Sequence, residues 1–191
     1  MPSKVMTTAV MVVVCAGLVA CSTTQKTGGE GLTSVVAQNV VRIACLRALQ
    51  DADMSALQAK TVEVKLSGFT DDRNKGILEL LFRSRAEAAG ARLVPEGKGE
   101  VQMEIATMNA GNDAGGSSIP ILSRSERTEG TVDVQMSLRE LATGNVLVTQ
   151  QLVGHAKYQQ NTVIGFQGAG KYYVQNKGGK FEVVPDPSTY N

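Results

Sequence analysis

Few residues in this chain are of types that do chemistry, and the neighbours of one of them set it apart. Cys21 follows Leu18-Val19-Ala20 and opens a polar run that begins Ser22-Thr23-Thr24. A thiolate is a better nucleophile than a hydroxyl, and small side chains at Val19 and Ala20 let an extended chain enter a peptidase. Cys45 lies in the apolar run Val40-Val41-Arg42-Ile43-Ala44-Cys45-Leu46 with no activating neighbour, so it is expected to be a buried structural thiol. His155 is the one histidine, too few imidazoles for a zinc site, and Gly-x-Ser-x-Gly is absent. Asp51 with Asp53, and Asp71 with Asp72, are candidate acid and base pairs that are better placed to cap helix ends. Gly165-Phe166-Gln167-Gly168-Ala169-Gly170-Lys171 has the glycine and lysine spacing of a phosphate loop. Tyr172 stands where a serine or threonine should hold magnesium, and Tyr172-Tyr173-Val174 reads as strand where a helix is required. No metal and no cofactor are expected.

Residues 1–20 carry one cation, Lys4, an apolar run from Ala9 to Ala20 and no acidic residue, the layout of a secretory signal. About a dozen apolar residues are too few to cross a hydrocarbon core, which takes about 20. The segment Leu18-Val19-Ala20-Cys21 resembles the lipobox of bacterial lipoproteins. That resemblance implies a thioether-linked diacylglyceride on Cys21 and a stable membrane anchor, each buried methylene adding about 0.8 kcal/mol. In that family Ser22 after the cysteine implies sorting to the outer membrane, facing the periplasm.

Removing 20 of 191 residues leaves 171, and losing Lys4 reduces 19 basic residues to 18 against 18 acidic ones. A balanced surface gives no reason to expect a nucleic-acid partner. With Cys15 removed and Cys21 acylated, only Cys45 remains as a thiol, so no internal disulfide is expected. The glycine-rich residues 21–31 read as a flexible tether whose ten residues beyond the lipidated cysteine span roughly 17 Å. Residues 32–158 read as a single domain, and 159–191 as a glycine-rich, aromatic tail, partly extended and partly disordered.

Within 33–50, Val36, Val40, Ile43 and Leu46 or Arg47 recur at a helical period, predicting a packing helix. At Thr61 the period changes to two, with Val62, Val64 and Leu66 alternating against Glu63 and Lys65, which marks a strand. Thr70-Asp71-Asp72 supplies the cap and acidic first turn of a second helix, whose apolar face is read as Ile77, Leu80, Leu81, Ser84 and Ala88, with Gly90 at its stop. Ala91 to Val94 is a second strand. Val101, Met103 and Ile105 mark a third, Val132 to Leu138 a fourth, and Thr143-Gly144-Asn145 turns the chain into a fifth at Val146. The order predicts an α/β (α+β) fold, a two-layer sandwich in which two helices cover one face of a mixed sheet of about five strands. The strand–helix–strand unit should pair in parallel, and the later strands antiparallel.

Between Asn109 and Gly130 no period is legible, and a segment of about 22 residues in a compact domain reads as a long loop, functional or disordered. It holds an apolar knot, Ile119, Pro120, Ile121 and Leu122, followed by Arg124, Glu126, Arg127 and Glu129 with mixed charge. Ile119 to Leu122 with Arg124 and Arg127 form the candidate partner-binding surface.

The stretch from Thr61 to Gln151 resembles the periplasmic helix-and-sheet domain of the curli-secretion lipoprotein, the penicillin-binding-protein activator lipoproteins and the N-terminal domain of TolB-like proteins. Ala89-Gly90-Ala91-Arg92-Leu93-Val94, the strand Glu100 to Thr107 and the hairpin Leu138 to Val148 carry the likeness, which covers about half the chain. Gly90 to Val94, the loop from Ile119-Pro120 to Gly130 and Thr143-Gly144 also resemble bacterial lipoproteins of unassigned function. No functional residue can be carried over from these resemblances; the domain layout and the lack of catalytic groups favour a non-enzymatic envelope factor that binds another envelope protein or copies of itself. The alternatives are a wall- or glycan-acting hydrolase, which needs two carboxyls about 5 to 10 Å apart across one cleft, and a purely structural envelope lipoprotein.

Overall fold

The computed structural model describes residues 35–68, 72–119, 123–164 and 166–187; the expected signal, Cys21 and the tether lie outside them. The first helix, α1, is Val35–Gln50, and it buries Ala37, Val40, Val41, Ile43, Ala44, Cys45, Ala48 and Leu49. These positions fall three and four apart, so one broad stripe faces the sheet. Of Leu46 or Arg47, the two alternatives for the end of that stripe, Leu46 is 43% exposed and Arg47 is half-buried. A single 3-10 turn, Ser55–Leu57, leads into β1, Thr61–Ser67.

The second helix, α2, is Asp72–Ala88. Its buried residues are Asn74, Leu78, Phe82 and Ala86, whereas Leu80, Ser84 and Ala88 are exposed. The face expected from Ile77, Leu80, Leu81, Ser84 and Ala88 is therefore turned by about one residue. Phe82, the helix's only aromatic residue, decides the rotation, because a ring carries 150–250 Å² into the core, more than Leu80 can offer. The helix stops where Gly90 was expected to stop it: Gly90 has φ +90°, its N–H donates to the Glu87 carbonyl, and Ala91 N–H donates to the Ala86 carbonyl. Those two bonds are a Schellman closure, and they require the left-handed residue to be glycine.

Beyond α2 come β2 (Arg92–Leu93), β3 (Val101–Ile119), β4 (Ser123–Glu140), β5 (Val146–Val163), β6 (Phe166–Gln167), β7 (Lys171–Gln175) and β8 (Phe181–Val184). The sheet order is β2-β1-β3-β4-β5-β7-β8, with β6 on β5. β1 pairs in parallel with β2 and with β3, and the remaining pairs are antiparallel. The fold is α+β, with two helices packed on a strongly curled mixed sheet. The sheet has eight strands, not about five.

Two differences account for the extra strands. The stretch read as a loop from 109 to 130 is the outer half of the β3–β4 hairpin, in register from Asn109↔Asp133 to Ile119↔Ser123. The boundary expected at 158/159 falls inside β5, and β6, β7 and β8 add to the sheet beyond it. Backbone pairing needs no side-chain alternation, and alternation was the only strand signal available in the sequence.

The core lies between the helices and one sheet face, where Val62, Val101, Met103, Ile105, Val132, Val134, Met136, Leu138, Leu152 and Ala156 are buried. α1 rests on β4 and β5 at two glycines. A Cβ at Gly130 would lie 2.6 Å from Val40 Cγ1, and one at Gly154 would lie 1.8 Å from the Ala44 carbonyl oxygen. Glu63, expected on the solvent side of β1, is only 4% exposed. It accepts hydrogen bonds from Gly97 N–H at 2.6 Å and Gln102 Nε2 at 2.9 Å, so its carboxylate holds the turn before β3.

The C-terminal strands are fastened to α1. Arg47 donates to the Gln175 carbonyl at 3.1 Å, and Asp51 pairs with Arg47 at 2.9 Å and Lys177 at 2.8 Å. Tyr172 is buried against Tyr158, ring centroids 5.0 Å apart, and its hydroxyl accepts a bond from Asn39 at 3.3 Å. Burial pushes both tyrosine hydroxyls above their ordinary range.

Candidate functional site

Of the residues singled out for binding a partner, Ile119, Arg124 and Arg127 sit in the far half of the β3–β4 hairpin. Ile119 closes β3 opposite Ser123, Arg124 faces Ser118, and Arg127 faces Gly115 on one side and Gln159 on the other. Pro120, Ile121 and Leu122 lie outside the described residues. The arm is not a loop: β3, β4 and β5 run side by side to its end, Ser123↔Val163 being the last β4–β5 pair. Among the described side chains, none between Ile105 and Ile119 of β3 belongs to the buried core. Val132, paired with Ala110, and Gly130, paired with Asn112, are buried beneath α1, so only the part of the arm beyond Gly130 is held chiefly by its backbone ladders, with Glu126 and Arg127 exposed on it. Arg127 is exposed and ion-paired with Glu129. Exposed pairs of this kind contribute between 0 and about 1 kcal/mol, so the pair orients side chains more than it holds the fold.

The sheet face turned away from the helices is mixed, with Val153 and Val183 exposed among polar side chains. Thr131 Oγ1 and His155 Nδ1 are 3.1 Å apart, Gln151 donates to Asp133 at 2.9 Å, and the Lys157 ammonium stands 5.1 Å from the Tyr173 ring centre and 4.2 Å from that of Phe181. His155 has a threonine for its neighbour. Among the described residues no group of three or more His, Cys, Asp or Glu side chains is placed to hold a metal ion.

Asp51 and Asp53 act structurally. Lys177, and then Arg47, hold the Asp51 carboxyl below its usual range. Asp53 is lowered by Ser55, whose hydroxyl and N–H both bond to it at the start of the 3-10 turn. Asp71 and the side chain of Asp72 lie outside the described residues. The glycine-rich segment before Lys171 leads into strand β7 rather than a helix, as the residues there had indicated. A phosphate loop needs a helix N-terminus at that point.

Cys45 is fully buried, and desolvation pushes its thiol up to about 12. The unfolded thiol titrates near 8.5. Stabilisation from keeping this thiol protonated is thus complete below about pH 8.5 and is lost as pH rises toward the folded value. At pH 8 a thiol reagent is expected to label Cys45 only as fast as the chain unfolds, and rapidly in urea. Mass spectrometry of the peptide containing it reads this out; rapid labelling in buffer would contradict the packing of α1.

Open grooves flank α1. One, about 430 Å³, is lined by Arg42, Ile43, Leu46, Val174, Val184 and Pro187 among others. Another, about 440 Å³, lies between α1 and α2 against Leu46, Leu49, Leu81 and Arg85. Neither gathers a nucleophile with a base. The outer halves of β3 and β4 show no alternation in the sequence and are not legible there as strands.

Neither a known protein family nor a curated protein matches the chain. Among solved structures it is similar to a minor lipoprotein from Acinetobacter baumannii, with 18% identity over 54% of this chain and 68% of that one, at a TM-score of 0.29. The comparisons assign the chain to none of the families its layout resembles. No helix among the described residues is long and apolar enough to cross a membrane.

Proposed function

We propose that the protein is a lipid-anchored, non-enzymatic factor of the bacterial envelope, held at the outer membrane facing the periplasm and acting by binding another envelope protein or its own copies. The observation that carries this reading is Leu18-Val19-Ala20-Cys21 at the end of a short apolar run. Acylation there turns a charge-balanced domain into one confined to a leaflet, since several acyl chains give an anchor that does not dissociate readily. The polar ribbon of β3, β4 and β5, which carries Ile119, Arg124 and Arg127, supports a role in contact rather than turnover. So do the structural duties of Asp51, Asp53 and Glu63.

Detergent phase partition of the protein made in a bacterial host tests the anchor. The native chain is expected in the detergent phase with an acylated N-terminal peptide beginning at Cys21, and Cys21→Ser is expected in the aqueous phase or uncleaved. A native chain whose N-terminal peptide does not begin at an acylated Cys21, or a cleaved Cys21→Ser that partitions as the native chain does, would overturn the reading. Crosslinking in intact cells then tests the contact role, for which recovery of monomer alone is the contrary result.

A further inference from the structure

The two halves of β3 have different neighbours. From Val101 to Ala106 it lies between β1 and β4; from Asn109 to Ile119 β4 alone flanks it among the described residues. β1 ends at Ser67, and the ladder to β4 shifts register between Thr107 and Asn109. In a strand bordered on one side, alternate residues direct N–H and C=O groups outward, so about half of these positions present unpaired donors and acceptors.

Natural edges are commonly kept short or guarded by lysine, proline or inward charges. The strands at the two margins of this sheet, β2 and β8, have two and four residues. The open run on β3 contains no lysine and no proline, and Asp113 is its one charge. Its other residues are Asn, Gly, Ala and Ser up to Ile119, so no bulky chain keeps another backbone away.

We propose that a second copy of this chain pairs with this edge, antiparallel, about a two-fold axis near Ala114. A strand edge is complementary to itself under such an axis. Asn109 of each copy then faces Ile119 of the other, Asp113 faces Gly115, and Ala114 faces itself. Met108, an apolar side chain left 67% exposed just before the run, comes to lie beside the Ile119 end of the second copy. The paired segments are about 36 Å long at a strand's usual rise. Eleven residues a side is about half of a standard interface, so the dimer is weak and reversible in dilute solution. Confinement to one leaflet raises the effective concentration; this last step rests on the proposed lipid anchor, whereas the pairing itself does not.

Single cysteines placed in turn at positions 110 to 118 of the full chain, oxidised in intact cells, test the geometry. Dimer is expected to peak at Ala114→Cys and to fall away on both sides, well above Lys98→Cys in the exposed turn before β3. Ala114→Lys sets two cations across the axis and is expected to weaken the native dimer about fourfold. Asp113→Asn relieves a diagonal pair of carboxylates about 7–8 Å apart and strengthens it about twofold. Crosslinking no greater than at Lys98→Cys across the whole series overturns the pairing and leaves the anchor to be judged by detergent partition alone. Crosslinking in the acylated chain that is lost on adding Cys21→Ser supports pairing that depends on confinement, and crosslinking in both supports pairing without it.

Discussion

Replacing Gly154 by alanine is expected to lower stability by roughly 3 kcal/mol, the upper part of the usual range for overpacking. The single methyl would stand 1.8 Å from the Ala44 carbonyl oxygen, 2.8 Å from its carbonyl carbon and 3.0 Å from Ala48 N. All three atoms belong to the backbone of α1, so no rotamer change relieves the clash. Ordinary contact begins near 3.4 Å, and the helix must therefore lift by about 1.6 Å along its closest line of approach. That lift loosens Val40, Val41, Ala44 and Ala48 from the sheet together. Opposing it is the lower entropy of the unfolded alanine chain, which stabilises by at most about 1 kcal/mol, so the clash dominates. Gly130→Ala should cost less, because its first contact is the Val40 methyl at 2.6 Å, with backbone only from 3.0 Å. Gly111→Ala, with nothing within 4 Å, should be neutral or slightly stabilising. Urea unfolding of the three variants checks the order; a Gly154→Ala variant as stable as Gly111→Ala would mean that α1 does not rest on β5.

The same two glycines show where the sequence was legible and where it was not. Helices, the parallel β1–β2 unit and the inner halves of β3, β4 and β5 can be read because one face of each is buried, and burial imposes a period. Val101, Met103 and Ile105, and Val132 to Leu138, are such runs, and all of their inward residues are buried. Gly130 and Gly154 carry no period, yet they set how closely α1 approaches. The outer ribbon has polar residues on both faces, so Asn109-Ala110-Gly111-Asn112-Asp113-Ala114 reads as loop although its backbone is fully paired with β4. Strands β7 and β8 are short and follow a glycine-rich stretch, and their attachment depends on Arg47 and Asp51, more than a hundred residues away. The apolar knot at Ile119 to Leu122 marks a candidate surface in the sequence, and of it Ile119 closes β3, but the open β3 edge leaves no mark in composition. An edge is a property of which strand stops where, and that depends on β1 ending at Ser67.

The register of α2 can be checked by a second large effect. Phe82→Ala is expected to destabilise the fold by about 3–5 kcal/mol, the range for removing a fully buried ring. Phe82 has no exposed surface and shares its stripe with Leu78 and Ala86, so the space it leaves can close only if α2 moves against the elements it packs on, α1, β1 and β2. Periodicity alone places Leu80 on the inner face and says nothing of Phe82. Leu80, however, is 69% exposed, and Leu80→Ala should fall within about 0.5 kcal/mol of the parent, as surface changes do. The two substitutions therefore separate two rotations of one helix that differ by about 100°. Urea midpoints with unchanged slopes give the comparison directly. A small loss at Phe82 with a large one at Leu80 would return α2 to the face its leucines suggest, and the packing of Leu78, Phe82 and Ala86 would have to be abandoned with it.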